Sequence, residues 1–283
     1  MQPATLLISC PDRKGIVAAL AQLLYGLGAN ILDSDQHTDV EAGQFFQRIR
    51  FDRAEMRVDE AGLRGAVAEV AGRFAMHWRL ENDERRKRIA IFVSKVDHCL
   101  WDLLLRQRSG ELRCEIAFLV SNHETLRPIA EQFEIPYHHL PITADSRARQ
   151  EARQAELIGD AGVELVVLAR YMQILSEELV SRFPNRILNI HHSFLPAFLG
   201  GNPYRQAYGR GVKLIGATAH YATSDLDEGP IVEQDVVRCS HRDSVRDLVR
   251  KGRDLERVVL GRAVRWHLED RVLVYGNKTV VFA

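Results

Sequence analysis

Charge of one sign is missing from this sequence: 38 Lys and Arg are balanced by 38 Asp and Glu across 283 residues, for a formal net charge of zero. That balance leaves no broad electrostatic footprint for holding nucleic acid or an anionic membrane surface. No hydrophobic run approaches the roughly 20 residues of a bilayer span. The opening MQPATLLISCPDRKG has no basic segment before its short apolar run, so no export signal is expected. Cysteine is scarce. Cys10, Cys99, Cys114 and Cys239 stand apart with no C-x-x-C pair, which argues against a zinc knuckle or a disulfide framework. Together these absences predict a cytoplasmic chain with reduced thiols. No internal repeat or low-complexity segment is visible.

What is present is a core-forming 46% of hydrophobic residues, arranged in two different patterns. The first begins with the apolar run TLLISC. Ile16, Leu20, Leu23, Leu24 and Leu27 then follow at helical spacing between Gly15 and Gly28. Gln44 to Phe51 alternates like a half-buried strand, Glu60 to Phe74 gives a second helix, and MHWRLEN closes the unit. The order β-α-β-β-α-β predicts two helices on a small antiparallel sheet, the ferredoxin-like arrangement. A boundary is expected in the charged NDERRKR, dividing the chain into domains 1–84 and 85–283, with Glu84 to Arg88 as a solvated linker.

From Ile89 the apolar runs become short and continuous and alternate with helical segments: IAIFV before WDLLLRQ, EIAFLV before HETLRPIAEQF, ELVVLA before SEELVSRF, then ILNI. Continuous runs mark strands buried on both faces, and the alternation predicts a doubly wound α/β domain with a mostly parallel sheet. Ligands of such sheets sit beyond the carboxyl ends of the strands, where ELVVLA and ILNIHH end. A long helix is expected over Ser244 to Glu269, then a terminal hairpin turning at Tyr275-Gly276-Asn277-Lys278.

ILNIHHSFLPAF, Ile187 to Phe198, concentrates polar residues at one of those strand ends. Strand alternation puts Asn189 and His191 on a common face, with Ile190 on the other and His192 turned away or in the loop. Adjacent histidines make a poor chelate. His191, His220 and Asp227 lack the compact i, i+4 spacing of a helical zinc site, so no metal is expected. The acidic turn Ser224 to Glu228 before Gly229-Pro230 reads on composition alone as solvated. Yet Asn, His and Asp are the minimal set for adding water to a carbonyl: an amide donor for the oxyanion, an imidazole for proton transfer, and a carboxylate to orient ring or water. His192 is expected to hold the loop. Ser193 is expected to cap a turn, because the G-x-S-x-G elbow of a serine nucleophile is absent. Tyr204 and Arg205 are candidates for closing the site.

NIHHSFLPAF, GNPYRQAYGRGVKLIGATAHY and SDLDEGPIVEQDV resemble the folate-dependent formyltransferase-fold enzymes, whose signature is Asn-x-His at a strand end and Asp in a D-x-G-P loop. With an ACT-like domain in front, nearly the whole chain is similar to the deformylase branch of that group. The resemblance implies hydrolysis of 10-formyltetrahydrofolate to formate and tetrahydrofolate, with no cofactor beyond the folate substrate and with Asn189, His191 and Asp227 as the catalytic set. It implies that Met172, Gln173, Ile174 and Leu175, in ARYMQILS, line the folate pocket; by themselves these residues read as a helix-entry turn with Met172 and Leu175 buried. PDRKGIV and GANI resemble an ACT loop, which implies a small amino-acid effector such as glycine or methionine near Asp12, Gly15 and Asn30, and a homo-oligomer. A plain helix cap is the reading without it.

One stretch departs from the nucleotide-accepting relatives. Glycinamide ribonucleotide formyltransferases carry a Gly/Ser-rich phosphate loop after the first strand of this domain. Here the position reads SKVDHCLWDLL, with Leu100 and Trp101 and no glycine. Water in place of the acceptor turns transfer into hydrolysis. Two alternatives stay open at this point: formyl transfer to an amine, and a non-catalytic regulator that binds folate or an amino acid.

Overall fold

The computed structural model describes residues 1–196 and 203–283 and divides into two compact units, each built as its sequence pattern predicts. Ala197, Phe198, Gly201 and Asn202 of the quoted stretches lie outside the described residues. The first unit comprises Met1–Arg86 with Glu269–Tyr275 and Val280–Ala283; the second comprises Lys87–Leu268 with Gly276–Thr279.

In the first unit the order is β1 (Pro3–Pro11), α1 (Ile16–Gly26), β2 (Asn30–Asp39), β3 (Gln44–Asp52), α2 (Glu60–Phe74) and β4 (His77–Asn82). The strands form an antiparallel sheet in the order β2-β3-β1-β4, the ferredoxin-like arrangement. One face is covered by the helices: Leu6 and Ile8 of β1 and Phe45 and Phe51 of β3 meet Ile16, Leu20 and Leu24 of α1 and Leu63 and Val67 of α2. Asp59 caps α2, its carboxylate accepting from the Gly62 N–H at 2.8 Å.

Alternation over Gln44 to Phe51 suggests a strand half exposed, but β3 is buried on both faces. The reason lies at the other end of the chain. Residues Val272–Tyr275 and Lys278–Val281 form the terminal hairpin, and its Leu273, Tyr275 and Val280, with Phe282, pack on Leu7 and Phe46. Arg48, on the same face, is satisfied by Asp33 at 3.0 Å and by the Asp270 carbonyl at 3.0 Å. The expected 85–283 grouping thus differs from the packing, in which most of the tail belongs with the first unit.

The second unit is a seven-stranded sheet in the order β11-β10-β9-β8-β5-β6-β7. Its strands are β5 (Lys87–Val93), β6 (Cys114–Ser121), β7 (Tyr137–His139), β8 (Leu165–Leu168), β9 (Ile187–His191), β10 (Leu214–Tyr221) and β11 (Ile231–Arg238). The first five are parallel, and β10 runs antiparallel to both β9 and β11. The helices are α3 (His98–Arg108), α4 (Arg127–Gln132), α5 (Arg147–Asp160), α6 (Glu177–Arg182), α7 (Pro203–Arg210) and α8 (Val245–Leu268). Phe92, Val120, Val166 and Leu168 pack against Ala155 and Ile158 of α5 and Leu179 and Val180 of α6. The strand order reverses between β5 and β8, so the crevice beyond their carboxyl ends is the expected ligand address.

The run Glu84 to Arg88 is not simply a solvated linker. Lys87 opens β5 and is buried, with its ammonium donating to the His267 and Leu268 carbonyls at 3.3 and 3.1 Å. A lysine placed there satisfies the last carbonyls of α8 and meets the negative end of its dipole.

Candidate active site

Strand β9 ends at His191, and β10 returns beside it with His220 paired to Asn189 and Thr218 to His191. Asn189 and His191 therefore project together, and His220 joins them from the neighbouring strand. The Asn189 amide nitrogen lies 3.2 Å from His220 Nε2. His220 Nδ1 sits 3.0 Å from the Tyr221 carbonyl, which can only accept, so Nδ1 carries a proton. In the neutral ring Nε2 then accepts one Asn189 N–H and leaves the other for a ligand oxygen.

Asp227 arrives from the loop between β10 and β11 and completes the group. Its Oδ1 is 3.2 Å from His191 Nδ1 and 3.7 Å from His220 Nε2. The hydrogen bond from His191 first, with His220 close by, holds its carboxyl well below the usual carboxylate range, so it is ionised at neutral pH. A carboxylate accepts only, so His191 Nδ1 must donate and the neutral ring keeps a lone pair on Nε2. That Nε2 is buried and has no hydrogen-bond partner among the described residues. Ser224, Asp225 and Glu228 of the acidic turn are exposed, as composition predicts, but Asp227, at φ 58°, turns in toward His191. Gly229 makes the approach possible, because a Cβ there would come within 1.8 Å of the Tyr221 carbonyl oxygen.

These residues line a cavity of about 680 Å³ that also takes in Met172, Gln173, Ile174 and Leu175. Met172 is not buried, as the residues alone suggest; it is 58% exposed, and Ile174 and Leu226 are similarly open. Three exposed apolar side chains beside a polar cleft suit a flat, partly apolar ligand. The segment is fixed from behind: Ser94 Oγ accepts from the Met172 N–H at 3.0 Å, and Leu175 and Ala222 pack on the α5/α6 core. Ser176 caps α6, as a helix-entry turn requires.

Ser193 is buried and its carbonyl accepts from Thr218 Oγ1 at 2.9 Å, which ties down the turn after β9. His192 faces Tyr204 with ring centroids 6.1 Å apart. Burial, then the Arg170 charge, pushes its pKa down to about 4, so it is neutral at physiological pH. Sequence reasoning missed the group behind it, in which Glu256 of α8 meets His98, Arg170 and Tyr204. A faint signal exists: Gly252, Glu256 and Leu260 recur every fourth residue along the buried stripe of α8, which puts a carboxylate in a core position. Burial alone would raise the Glu256 carboxyl, but the His98 hydrogen bond, the Arg170 charge and the Tyr204 hydroxyl outweigh it and hold it below its ordinary value. Ligand atoms of His98, Cys99 and Glu256 lie within 4.8 Å of one another. Burial, then Glu256, keeps the Cys99 thiol well up and protonated.

In the first unit, Asp12 and Gly15 follow β1 beyond Pro11, at the end of the sheet where Gln44 pairs. Asn30 opens β2 opposite Asp52, at the end where β1 starts. All three are exposed, and one chain does not bring Asn30 to the Asp12–Gly15 turn.

The profile described as formyl transferase matches residues 87–264, and that described as ACT domain matches 4–58. Formyltetrahydrofolate deformylase from Synechocystis is 56% identical over 280 residues, covering 99% of this chain and 98% of the relative. The chain belongs to the formyltetrahydrofolate deformylase family. The deformylase from Bacillus subtilis is 55% identical, over 98% of this chain and 93% of that one. The crystal structure of the deformylase from Pseudomonas syringae superposes at TM-score 0.97 and 48% identity, covering 100% of this chain and 95% of that one. Glycinamide ribonucleotide transformylase 1 from Symbiobacterium toebii matches less of it: TM-score 0.66 and 32% identity over 70% of this chain and 95% of that one.

Two outcomes follow from this geometry. Gly229→Ala forces the loop off Tyr221 and moves Asp227 from His191, so deformylation should fall about 10²-fold, the effect of an ångström-scale misplacement, in a steady-state formate assay. His192 has a folded pKa below its unfolded value of about 6.5. Its contribution to stability is therefore complete above that pH and is lost as pH falls toward about 4. The urea midpoint should drop between pH 7.5 and 5, and His192→Asn should lessen the drop.

Proposed function

We propose that the cavity takes 10-formyltetrahydrofolate and hydrolyses its formyl group, with Asn189, His191 and Asp227 as the reacting set. The full-length match to deformylases supports the reaction. The observation that carries the residue roles is the His191 ring, which lines the cavity and is held by Asp227 at Nδ1, while its buried Nε2 has no hydrogen-bond partner among the described residues. In the proposed sequence His191 Nε2 takes a proton from water as the water oxygen bonds to the formyl carbon. The carbonyl oxygen becomes an oxyanion and accepts the free Asn189 N–H. Collapse breaks the carbon–N10 bond, N10 takes the proton back from the imidazolium, and formate leaves with tetrahydrofolate as the second product. Asp227 fixes the tautomer and balances the imidazolium charge. Met172 to Leu175 and Leu226 are assigned to the folate ring system.

A small amino acid, glycine or methionine, is the effector proposed for the Asp12–Gly15 turn, on the ACT match. Because Asn30 lies at the other end of its own sheet, its participation requires a second copy of the chain, which favours a homo-oligomer. A cytoplasmic setting suits four free cysteines, and no helix among the described residues is long and apolar enough to cross a membrane.

Asn189→Ala, His191→Ala and Asp227→Asn should each lower formate release by about 10²- to 10⁴-fold while folate binding by fluorescence quenching persists. Full turnover in any one of them removes that residue from the scheme. Release should need no amine and should continue with chelator present. Calorimetric titration should show glycine or methionine binding that Asn30→Ala weakens, alongside an oligomer in sedimentation; heat-free titrations would dismiss the effector.

A further inference from the structure

Four side chains from separate elements meet in the part of the cavity that the proposed hydrolysis does not use: His98 at the start of α3, Arg170 after β8, Tyr204 in α7 and Glu256 in α8. Glu256 is 1% exposed, and both of its oxygens are engaged. The Tyr204 hydroxyl donates to Oε1 at 2.6 Å, His98 Nε2 lies 2.8 Å from Oε2, and Arg170 Nε is 3.5 Å from the same oxygen. A buried carboxylate is tolerated only when paired and hydrogen-bonded, so each contact restrains the side chain that makes it. Room for the tyrosine is built into α8. One turn before Glu256, a Cβ on Gly252 would meet the Tyr204 hydroxyl at 2.0 Å.

The two parts of the cavity are rooted differently. Leu175 and Ala222, in the segments assigned to folate, pack on the α5/α6 core, whereas the Glu256 group stands on α3, α7 and α8. His192, one residue past Asn-x-His, abuts the Glu256 group through Tyr204. We propose that, with folate on the first part, the nucleophile reaches the formyl carbon from the second, and that Tyr204 and His98, hydrogen-bonded to Glu256, together with Arg170 ion-paired to it, wall off that part against any nucleophile much larger than water and so make this fold a hydrolase rather than a transferase. The inference rests on the folate placement proposed above. It agrees with the transformylase of Symbiobacterium toebii sharing the fold of this region, so that the choice of acceptor is left to the side chains that fill it.

Nucleophiles of one chemical class and increasing size test the wall: hydroxylamine, O-methylhydroxylamine and O-benzylhydroxylamine. In the trapping reaction the amine nitrogen bonds to the formyl carbon and the carbon–N10 bond breaks. The amine's proton passes to N10, giving an N-formyl hydroxylamine and tetrahydrofolate without any redox change. Mass spectrometry of the trapped product, set against formate, gives a partition ratio for each probe. With the unmodified protein this ratio should fall steeply from hydroxylamine to O-benzylhydroxylamine. His98→Ala, Tyr204→Ala and Gly252→Ala, the last displacing Tyr204 without deleting it, should each raise the ratio for O-benzylhydroxylamine by about tenfold or more. The summed products report on the reacting set, and the ratio alone reports on the wall. Equal trapping of small and large probes by the unmodified protein overturns the proposal even if no variant folds. An unchanged ratio in variants that still turn over also overturns it.

Discussion

The contact between Asp227 and His191 governs the chemistry of this site. It spans a strand end and a loop 36 positions later, and it exists because β10 doubles back antiparallel along β9 and the Asp-Glu-Gly-Pro turn presses onto the Tyr221 carbonyl. Once the carboxylate sits on Nδ1, the ring has one tautomer when neutral, with its lone pair on the buried Nε2. Without that contact the same imidazole could present either nitrogen. The parallel sheet fixes where β9 ends; the antiparallel return of β10 decides what stands there.

The second carboxylate, Glu256, is handled by a different rule. Asp227 keeps 14% of its side-chain surface and draws on two histidines, whereas Glu256 keeps 1% and draws on Arg170, His98 and Tyr204. Arg170 sets a guanidinium, a group that stays charged across the physiological range, 3.5 Å from the Glu256 carboxylate. His192 lies between the two clusters, its ring 5.2 Å from that of His191 and 6.1 Å from that of Tyr204, and is neutral at physiological pH.

How much of this was legible in the sequence depended on how local the cause was. The helix over Glu60 to Phe74 and the strand at ILNI are set by nearby periodicity, and both appear as expected. Asn189 and His191 sharing a face is a two-residue consequence of strand geometry. Asp227 was nominated by its residue type and by resemblance, because no short-range pattern ties position 227 to position 191. The double burial of β3 and the burial of Lys87 were missed for the same reason. The hairpin that covers Phe46 and the helix end that receives Lys87 lie some 180 or more residues away in the chain.

Glu256 carries that argument furthest. A charged residue on the buried stripe of an amphipathic helix signals that partners exist, but periodicity says nothing of which elements supply them. His98 and Arg170 looked ordinary in their own segments, as a helix start and a post-strand residue, and Tyr204 stood out only as a candidate for closing the site. Only the fold brings them onto one carboxylate. The residues proposed to react can therefore be read from a short motif in the sequence. The side chains proposed to exclude a larger acceptor are dispersed over four elements, and they become visible as a group only when they are seen to close on the same buried charge.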